Sequence, residues 1–287
     1  MPFRSASSSG DAERRLVSAD ELASPRISVV VPARNEAANL PYVLSALPPE
    51  VYEVVLVDGR SSDDTVAVAR QIRPDIRVVQ QTRRGKGNAL ACGFNAVRGD
   101  IIVMLDADGS ADPAEISRYV DALLAGADFA KGTRFAGGGA GSSDLTWLRS
   151  LGNKALNLVV NVLYGTRYTD LCYGYNAFWT RCLPVLGLDA GEVEDDRKLW
   201  GDGFEVETII NTRIARGRLK VIEVPSFELE RIHGVSNLNT WRDGCRVLRA
   251  ALTERFRPRP RRDVAPHGLV IDLTDSLDAA EVEPATA

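Results

Sequence analysis

Asp106 and Asp108 stand two residues apart at the end of an apolar run, Ile101-Ile102-Val103-Met104-Leu105. Two carboxylates that close repel each other, and desolvating them is costly unless a positive charge lies between them. An Asp-x-Asp at a strand end suits a hard divalent cation. Mg²⁺ or Mn²⁺ takes carboxylate oxygens, keeps several waters and draws its remaining ligands from substrate phosphates. The expected positive partner is therefore a metal carrying a diphosphate. Taken alone, the motif reads equally well as a helix N-cap followed by a solvated acid. Its setting has to decide.

That setting is an alternation of strands and helices. Ile27 to Val31 is β-branched and apolar, and Asn35 is placed to cap a helix over residues 36–47. "YEVVLVD" reads as a second strand, followed by a helix capped by Ser61 or Ser62. "IRVVQQ" is a third strand, "GNALACGFNAV" a helix and "DIIVMLD" a fourth strand. A helix starting near Pro113 and the strand "ADFAKGTR" follow. Such a chain forms a mostly parallel sheet with helices on both faces. Ligands bind such sheets beyond the carboxyl ends of the strands. There the sequence gathers Pro32-Ala33-Arg34-Asn35-Glu36, Asp58-Gly59-Arg60-Ser61, Arg83-Arg84-Gly85-Lys86-Gly87 and Asp106-Ala107-Asp108. Four polar or charged segments on one rim favour the ligand-binding reading of the two acids.

The second half is less regular. "GGGAGSSD" reads as a loop, "LTWLRSLGNKALNLVVNVLYG" as a helix and "YTDLCYGYNAFWTR" as strand and turn. The segment 188–203 reads as a mobile polar loop, followed by the helix "FEVETIINTRIARG", the strand "LKVIEVPSFELER" and a last helix "NTWRDGCRVLRAALTERF". That helix sets Trp241, Cys245, Val247, Leu248, Leu252 and Phe256 among Arg242, Arg246, Arg249 and Arg255, with "RFRPRPRR" at its end. It could be a basic amphipathic segment resting on anionic lipid, or a core helix with a solvated side. The expected division is a flexible lead over residues 1–25, one domain over 26–257, and a disordered basic-then-acidic tail over 258–287. Within the domain, residues 26–135 form a regular half and 136–257 a less regular one.

Composition narrows the classes. The chain has 287 residues, 45% hydrophobic and 26% charged, with a net charge of -4, so it is globular and carries no global sign of nucleic-acid binding. Cys92, Cys172, Cys182 and Cys245 lack zinc-ligand spacing and read as reduced, mostly buried thiols. The N-terminus lacks the apolar core of a secretory signal, and no run approaches the roughly 18 to 20 apolar residues of a membrane span. The expected location is the cytoplasm, or the inner face of its membrane by peripheral contact.

"VVVPARNEAANLPYVLSAL", "VVLVDGRSSDDTV", "RGKGNALACGFNAVRGDIIVMLDADGSADPAEI", "ADFAKGTRF", "YTDLCYGYNAFWTR" and "FEVETIINTRIARGRLKVIEVPSFELERIHGVSN" resemble, in order, the blocks of family 2 glycosyltransferases with the GT-A fold. Within that family the chain looks most like polyprenol-phosphate (dolichol-phosphate) mannose or glucose synthases. The resemblance implies an inverting, metal-dependent hexosyltransferase that uses a GDP- or UDP-linked sugar and a polyprenyl phosphate acceptor. It implies that Pro32 to Glu36 line the nucleoside pocket with Asp58, Gly59 and Ser61, where Asp58 accepts a hydrogen bond from the base. Gly85 and Gly87 would let the backbone approach the nucleotide, with Lys86 facing phosphate. Asp106 would hold ribose or a metal water, with Ala107 beside the nucleotide, and Asp108 would be the main metal ligand. Arg134, Arg149 and Arg231 fall where the family places cations for the acceptor phosphate or leaving diphosphate, and Asp170, Glu207 and Ser236 join them on the acceptor side.

Two positions depart from the synthases: Ser110 replaces a usual Gln, and Asn237 replaces a usual Lys. Both point away from a phosphate acceptor. A hydroxyl acceptor, on a soluble metabolite or growing glycan, needs a general base. The family places that base at the start of the helix after the acceptor loop, which here means Asp202, Glu205 or Glu207. A nucleotidyltransferase is a rival from another class. It would carry a Gly-rich basic loop directly after the first strand, which "PARNEAANL" is not.

Overall fold

The computed structural model describes residues 24–137, 140–143, 147–194, 197–234, 240–258 and 271–272. Nearly all of the 1–25 lead, and the 258–287 tail apart from 258 and 271–272, lie outside the described residues. Eight strands form one sheet in the order β10-β3-β2-β1-β4-β7-β5-β8. They are β1 (Ile27–Ala33), β2 (Val51–Asp58), β3 (Arg77–Gln80), β4 (Ile101–Met104), β5 (Phe129–Thr133), β7 (Asn176–Trp179), β8 (Val221–Pro225) and β10 (Ile271–Asp272). Strands β3, β2, β1 and β4 are parallel, as are β5 and β8, while β7 runs antiparallel between β4 and β5. The short β10 pairs antiparallel with β3, so part of the expected tail adds an edge strand. Strands β6 (Gly141–Ser142) and β9 (Phe227–Glu228) make a separate ribbon.

Helices cover both faces. The core layer containing Val29, Val31 and Val103 packs under α1 (Leu40–Ser45), α2 (Thr65–Ile72) and α4 (Ile116–Leu124). The layer containing Val30, Ile102 and Met104 packs under α3 (Lys86–Ala96), α6 (Leu183–Leu186) and α7 (Val206–Gly217). Successive residues of β1 thus serve opposite faces, as the two-residue period of a strand requires. A third cluster, with Val160, Tyr168, Leu171, Val247 and Ala251, joins α5 (Trp147–Tyr164) to α8 (Thr240–Phe256).

The first two helices begin later than expected. Asn35 does not cap α1. It adopts a left-handed backbone, φ 57°, and α1 starts at Leu40. Its N–H donates to Ser61 Oγ (3.0 Å), and its Oδ1 accepts from Ser62 N–H (2.8 Å). Those serines are spent tying two rim loops together, so neither caps α2, whose N-cap is Asp64. Asp63 Oδ1 accepts from Thr65 N–H (3.1 Å) instead. The thiols also differ from expectation, since Cys92 and Cys182 are buried but Cys172 and Cys245 are exposed. No helix among the described residues is long and apolar enough to cross a membrane.

Candidate active site

The carboxyl ends of β1, β2 and β4 meet on one rim. Pro32 and Ala33, the last residues of β1, pair with Val57 and Asp58 of β2, and Gly59 N–H donates to Ala33 O (2.7 Å). Asp58 is buried, and both of its carboxylate oxygens accept from Ser61 N–H at 3.2 Å, which fixes the side chain at the end of β2. Arg34, Asn35, Glu36, Ala38 and Asn39 line a cleft of about 540 Å³ with Arg231, His233 and Gly234. The segment that follows β9 closes its far side. Asn39 makes this possible by treating His233 as a strand partner: its Oδ1 accepts from His233 N–H (2.9 Å) and its Nδ2 donates to His233 O (3.3 Å). Nδ2 also donates to Glu36 Oε2 (2.5 Å). Burial raises the Glu36 carboxyl above its usual range, against the opposing pull of Asn39 and Arg231.

Asp106 and Asp108 follow β4, and each meets a cation from the chain. Lys86 Nζ lies 2.8 Å from Asp106 Oδ1 and 2.8 Å from Glu207 Oε1. Burial works against that ammonium, but the two carboxylates win and hold it well above the ordinary lysine value. Arg231 Nη2 lies 2.8 Å from Asp108 Oδ2, and its Nη1 is 3.9 Å from Glu36 Oε1. Asp108 Oδ1 accepts from Ser110 N–H (3.0 Å) and Oγ–H (2.7 Å). Ile232 N–H donates to Asp108 O (3.2 Å) and Leu229 N–H to Ser110 O (2.8 Å), laying the Arg231 segment along the two acids. The repulsion expected between the acids is thus relieved first by Lys86 and Arg231. The donor set still fits a hard divalent cation. A Cβ built at Gly174 would lie 3.2 Å from Lys86 Nζ, tighter than an ordinary contact, and 3.5 Å from Asp106 Oδ2, so the glycine leaves room for Lys86 between the acids. Two carboxylates leave most of a metal's shell to phosphate and water. Among the described residues no group of three or more His, Cys, Asp or Glu could hold a metal by itself.

Several expected site residues do other work. Gly85 and Gly87 are required by the packing of the chain itself. A Cβ on Gly85 would sit 1.9 Å from Asp202 O, and one on Gly87 1.7 Å from Gly201 O. The two glycines let α3 press against the loop before α7, and Gly87 N–H donates to Asp202 O (2.9 Å). Asp202 is not free to act as a base. Its carboxylate takes Arg83 Nε and Nη2, both at 2.9 Å, and the two side chains are only 3% and 1% exposed. Arg83 also donates to Asp189 O (2.7 Å) and to Gly191 O, so both ends of the expected mobile loop are pinned. Residues 195–196 of that loop lie outside the described residues.

Arg134 and Asp170 form a buried brace rather than an open acceptor contact. Asp170 accepts from Arg134 Nε (2.7 Å), Nη2 (2.9 Å) and backbone N–H (3.1 Å), and Arg134 Nη1 donates to Glu228 Oε2 (2.8 Å). Asp170 exposes no surface, so it touches no acceptor in this arrangement. Burial raises its carboxyl, but the Arg134 guanidinium prevails and holds it below the usual range. Glu205 ends up as the N-cap residue of α7 and is nearly buried. Its Oε1 accepts from Gly203 N–H (3.3 Å), while Oε2 has no hydrogen bond among the described residues and lies 3.8 Å from Arg246 Nε. The Arg149 side chain, Ser236 and Asn237 lie outside what is described. Arg83, Asn39, Gly174 and His233 were not singled out from the sequence. Arg83 stood in the charged run before Lys86, and Gly174 in "YGYN", but the partners of the Arg83 side chain lie 106 to 119 residues away and the nearest neighbours of Gly174 are likewise distant in the chain.

The doubly covered, mostly parallel sheet with paired acids after β4 is the GT-A architecture. The chain belongs to glycosyl transferase family 2, whose model matches residues 28–170. The chain is 33% identical over 225 residues to polyprenol monophosphomannose synthase from Mycolicibacterium smegmatis, covering 75% of this chain and 81% of that one. It is 32% identical to undecaprenyl-phosphate mannosyltransferase from Micrococcus luteus, covering 75% and 88%. Among solved structures, glucosyl-3-phosphoglycerate synthase from Mycobacterium tuberculosis, in complex with Mn²⁺, UDP and glucosyl-3-phosphoglycerate, superposes with a TM-score of 0.62 at 25% identity, over 82% of each chain. The protein is therefore an enzyme of glycosyl transfer, and the solved neighbour was crystallised with Mn²⁺.

Proposed function

We propose that the protein moves a hexose from a GDP- or UDP-linked donor to a polyprenyl phosphate, with inversion at the anomeric carbon. Asp58 accepts a hydrogen bond from the base, and the 32–36 segment, Gly59 and Ser61 shape the nucleoside pocket. Asp106 and Asp108 would hold Mg²⁺ or Mn²⁺, which when bound supplies positive charge to the departing diphosphate. Arg231, already over Asp108, adds a guanidinium whose fork suits phosphate oxygens. Lys86 keeps Asp106 and Glu207 at fixed separation, so it acts as a brace between the donor and acceptor halves.

The observation that carries the acceptor reading is the state of Asp202 and Glu207, two of the three acids before and within α7. A hydroxyl acceptor needs a base free to take a proton. Asp202 is locked to Arg83, and Glu207 is held by Lys86. A phosphate acceptor arrives as an anion and needs no base. The relatives named for polyprenol and undecaprenyl phosphate support the same choice. One feature favours the second reading, a hydroxyl acceptor on a non-lipid metabolite: Glu205 keeps a buried oxygen without a hydrogen bond. Steady-state kinetics of Glu205→Gln and Arg231→Ala, with acceptor varied at saturating donor, separates them. The proposal expects Arg231→Ala to lose a charge-assisted contact of about 1.5–3 kcal/mol, felt in acceptor affinity, and Glu205→Gln to be mild. A fall in turnover of roughly 10² to 10⁴ in Glu205→Gln, with acceptor affinity intact, would establish the hydroxyl reading instead.

A further inference from the structure

Asn39 is the N-cap residue of α1, yet its side chain makes no cap hydrogen bond. An N-cap Asn ordinarily turns its Oδ1 to a backbone N–H in the first turn of its own helix. Here the side chain is buried and reaches the segment that follows β9. Oδ1 accepts from His233 N–H (2.9 Å), and Nδ2 donates to His233 O (3.3 Å) and to Glu36 Oε2 (2.5 Å). One orientation of the carboxamide satisfies all three contacts. The reverse would set its NH₂ against an N–H, and its oxygen against a carbonyl and a carboxylate. Helix capping therefore does not account for Asn at this position, and the pairing with the His233 backbone does.

That pairing bears on Arg231. On the β4 side the segment is held by Leu229 N–H on Ser110 O (2.8 Å) and Ile232 N–H on Asp108 O (3.2 Å). Asn39 supplies the hold from the β1 side, two residues beyond Arg231. It also fixes Glu36, whose Oε1 lies 3.9 Å from Arg231 Nη1, while Arg231 Nη2 lies 2.8 Å from Asp108 Oδ2. A long arginine side chain loses much rotamer freedom when it is held in one place, so its backbone and its partners have to be fixed first. Asn39 touches both the segment that carries Arg231 and one of the two acids that face its guanidinium.

We infer that Asn39 is a positioning residue for Arg231: by clasping the His233 backbone and Glu36, it holds the guanidinium over the end of β4 in the geometry that transfer uses. The inference rests, for its purpose, on the reading of Arg231 as a phosphate contact; the clasp itself is tested without substrate.

Hydrogen exchange of the full chain, read by mass spectrometry with no substrate present, tests the clasp. Peptides covering residues 229–234 should exchange about tenfold faster or more in Asn39→Ala, since two hydrogen bonds of ordinary net strength are lost. Asn39→Asp keeps the volume and suits a helix N-terminus but loses both donors, and it should free the segment as well. A double-mutant cycle of Asn39→Ala and Arg231→Ala tests the positioning. Turnover is read as release of GDP or UDP from the linked hexose, with short polyprenyl phosphate or with water as acceptor, so that the cycle does not depend on the choice of acceptor. Asn39→Ala should lower kcat/KM by about tenfold, and the pair should be no slower than Arg231→Ala alone, because Asn39 acts through a guanidinium that is already gone. A loss of general stability would multiply the two effects instead. Unchanged exchange over 229–234 in both Asn39 variants, or multiplied losses in the cycle, would overturn the inference. A normal rate in Arg231→Ala, beside faster exchange in Asn39→Ala, would uphold the clasp and overturn the reading of Arg231 as a phosphate contact.

Discussion

Replacing Asp202 by Asn tests whether this acid is structure or chemistry. From the sequence it is one of three candidate bases; in the fold it is the buried half of an ion pair. Two guanidinium nitrogens of Arg83 reach its oxygens at 2.9 Å, and Leu199 N–H donates to Oδ2 at 2.7 Å. The amide of Asn keeps one acceptor oxygen and turns an NH₂ group toward a buried cation. Removing one partner of a buried pair costs about 3–5 kcal/mol, because the remaining charge is left without compensation. For a domain of this size about 1 kcal/mol moves the melting temperature by roughly 2–4 °C, so Asp202→Asn should melt about 6–20 °C lower. Arg83→Met with Asp202→Leu, which removes both charges and fills the volume, should recover much of that loss. Calorimetry reads the melting temperature, and turnover is measured well below it. There the Asn variant should bind nucleoside diphosphate as the wild type does. An Asp202→Asn protein with unchanged melting temperature and turnover lowered by a hundredfold or more would refute the structural assignment and restore Asp202 as a base.

Three further outcomes follow from the same geometry. Asp108→Asn should abolish metal-dependent transfer with the fold intact, and near-normal rates at saturating Mn²⁺ would remove it from the metal site. Gly87→Ala should destabilise strongly, because its new methyl would meet Gly201 O at 1.7 Å, and a melting temperature within a degree of wild type would contradict the packing of α3 on that loop. Asp170, held below the usual carboxylate value of about 3.9 by Arg134, gives stability that is complete above that pH and is lost as pH falls through its folded value. The gap in melting temperature between wild type and Asp170→Asn should therefore be widest near neutrality and narrow below about pH 4, and a constant gap would refute the pairing.

The features read correctly from the sequence are those that local pattern controls. Val29, Val30 and Val31 could only be a strand buried on both faces, and the turn after each such strand had to reach the rim where Asp58, Asp106 and Asp108 lie. What the pattern could not supply was the use of each polar residue. Gly85 and Gly87 bracket a lysine, which locally resembles a phosphate loop. Their glycine identity is set instead by the carbonyls of Gly201 and Asp202, more than a hundred residues on, and no neighbouring residue encodes that contact. The same holds for Asn35, Ser61 and Ser62, which have the composition of helix caps and are spent bridging two loops.

The long-range pairings also account for the acidity of the rim. Reading Asp106 and Asp108 as bare carboxylates leads straight to a metal as their only relief. In the fold, Lys86 and Arg231 already stand at 2.8 Å from them. Each of these cations has a second acid: Glu207 for Lys86 at 2.8 Å, and Glu36 for Arg231 at 3.9 Å. Lys86 therefore links the end of β4 to α7, and Arg231 links the end of β4 to the loop after β1, so the charge balance of the two acids ties these three segments together. If Asp108 held a divalent cation, Arg231 would stand beside it at Oδ2, in the cleft it lines with Glu36 and Asn39.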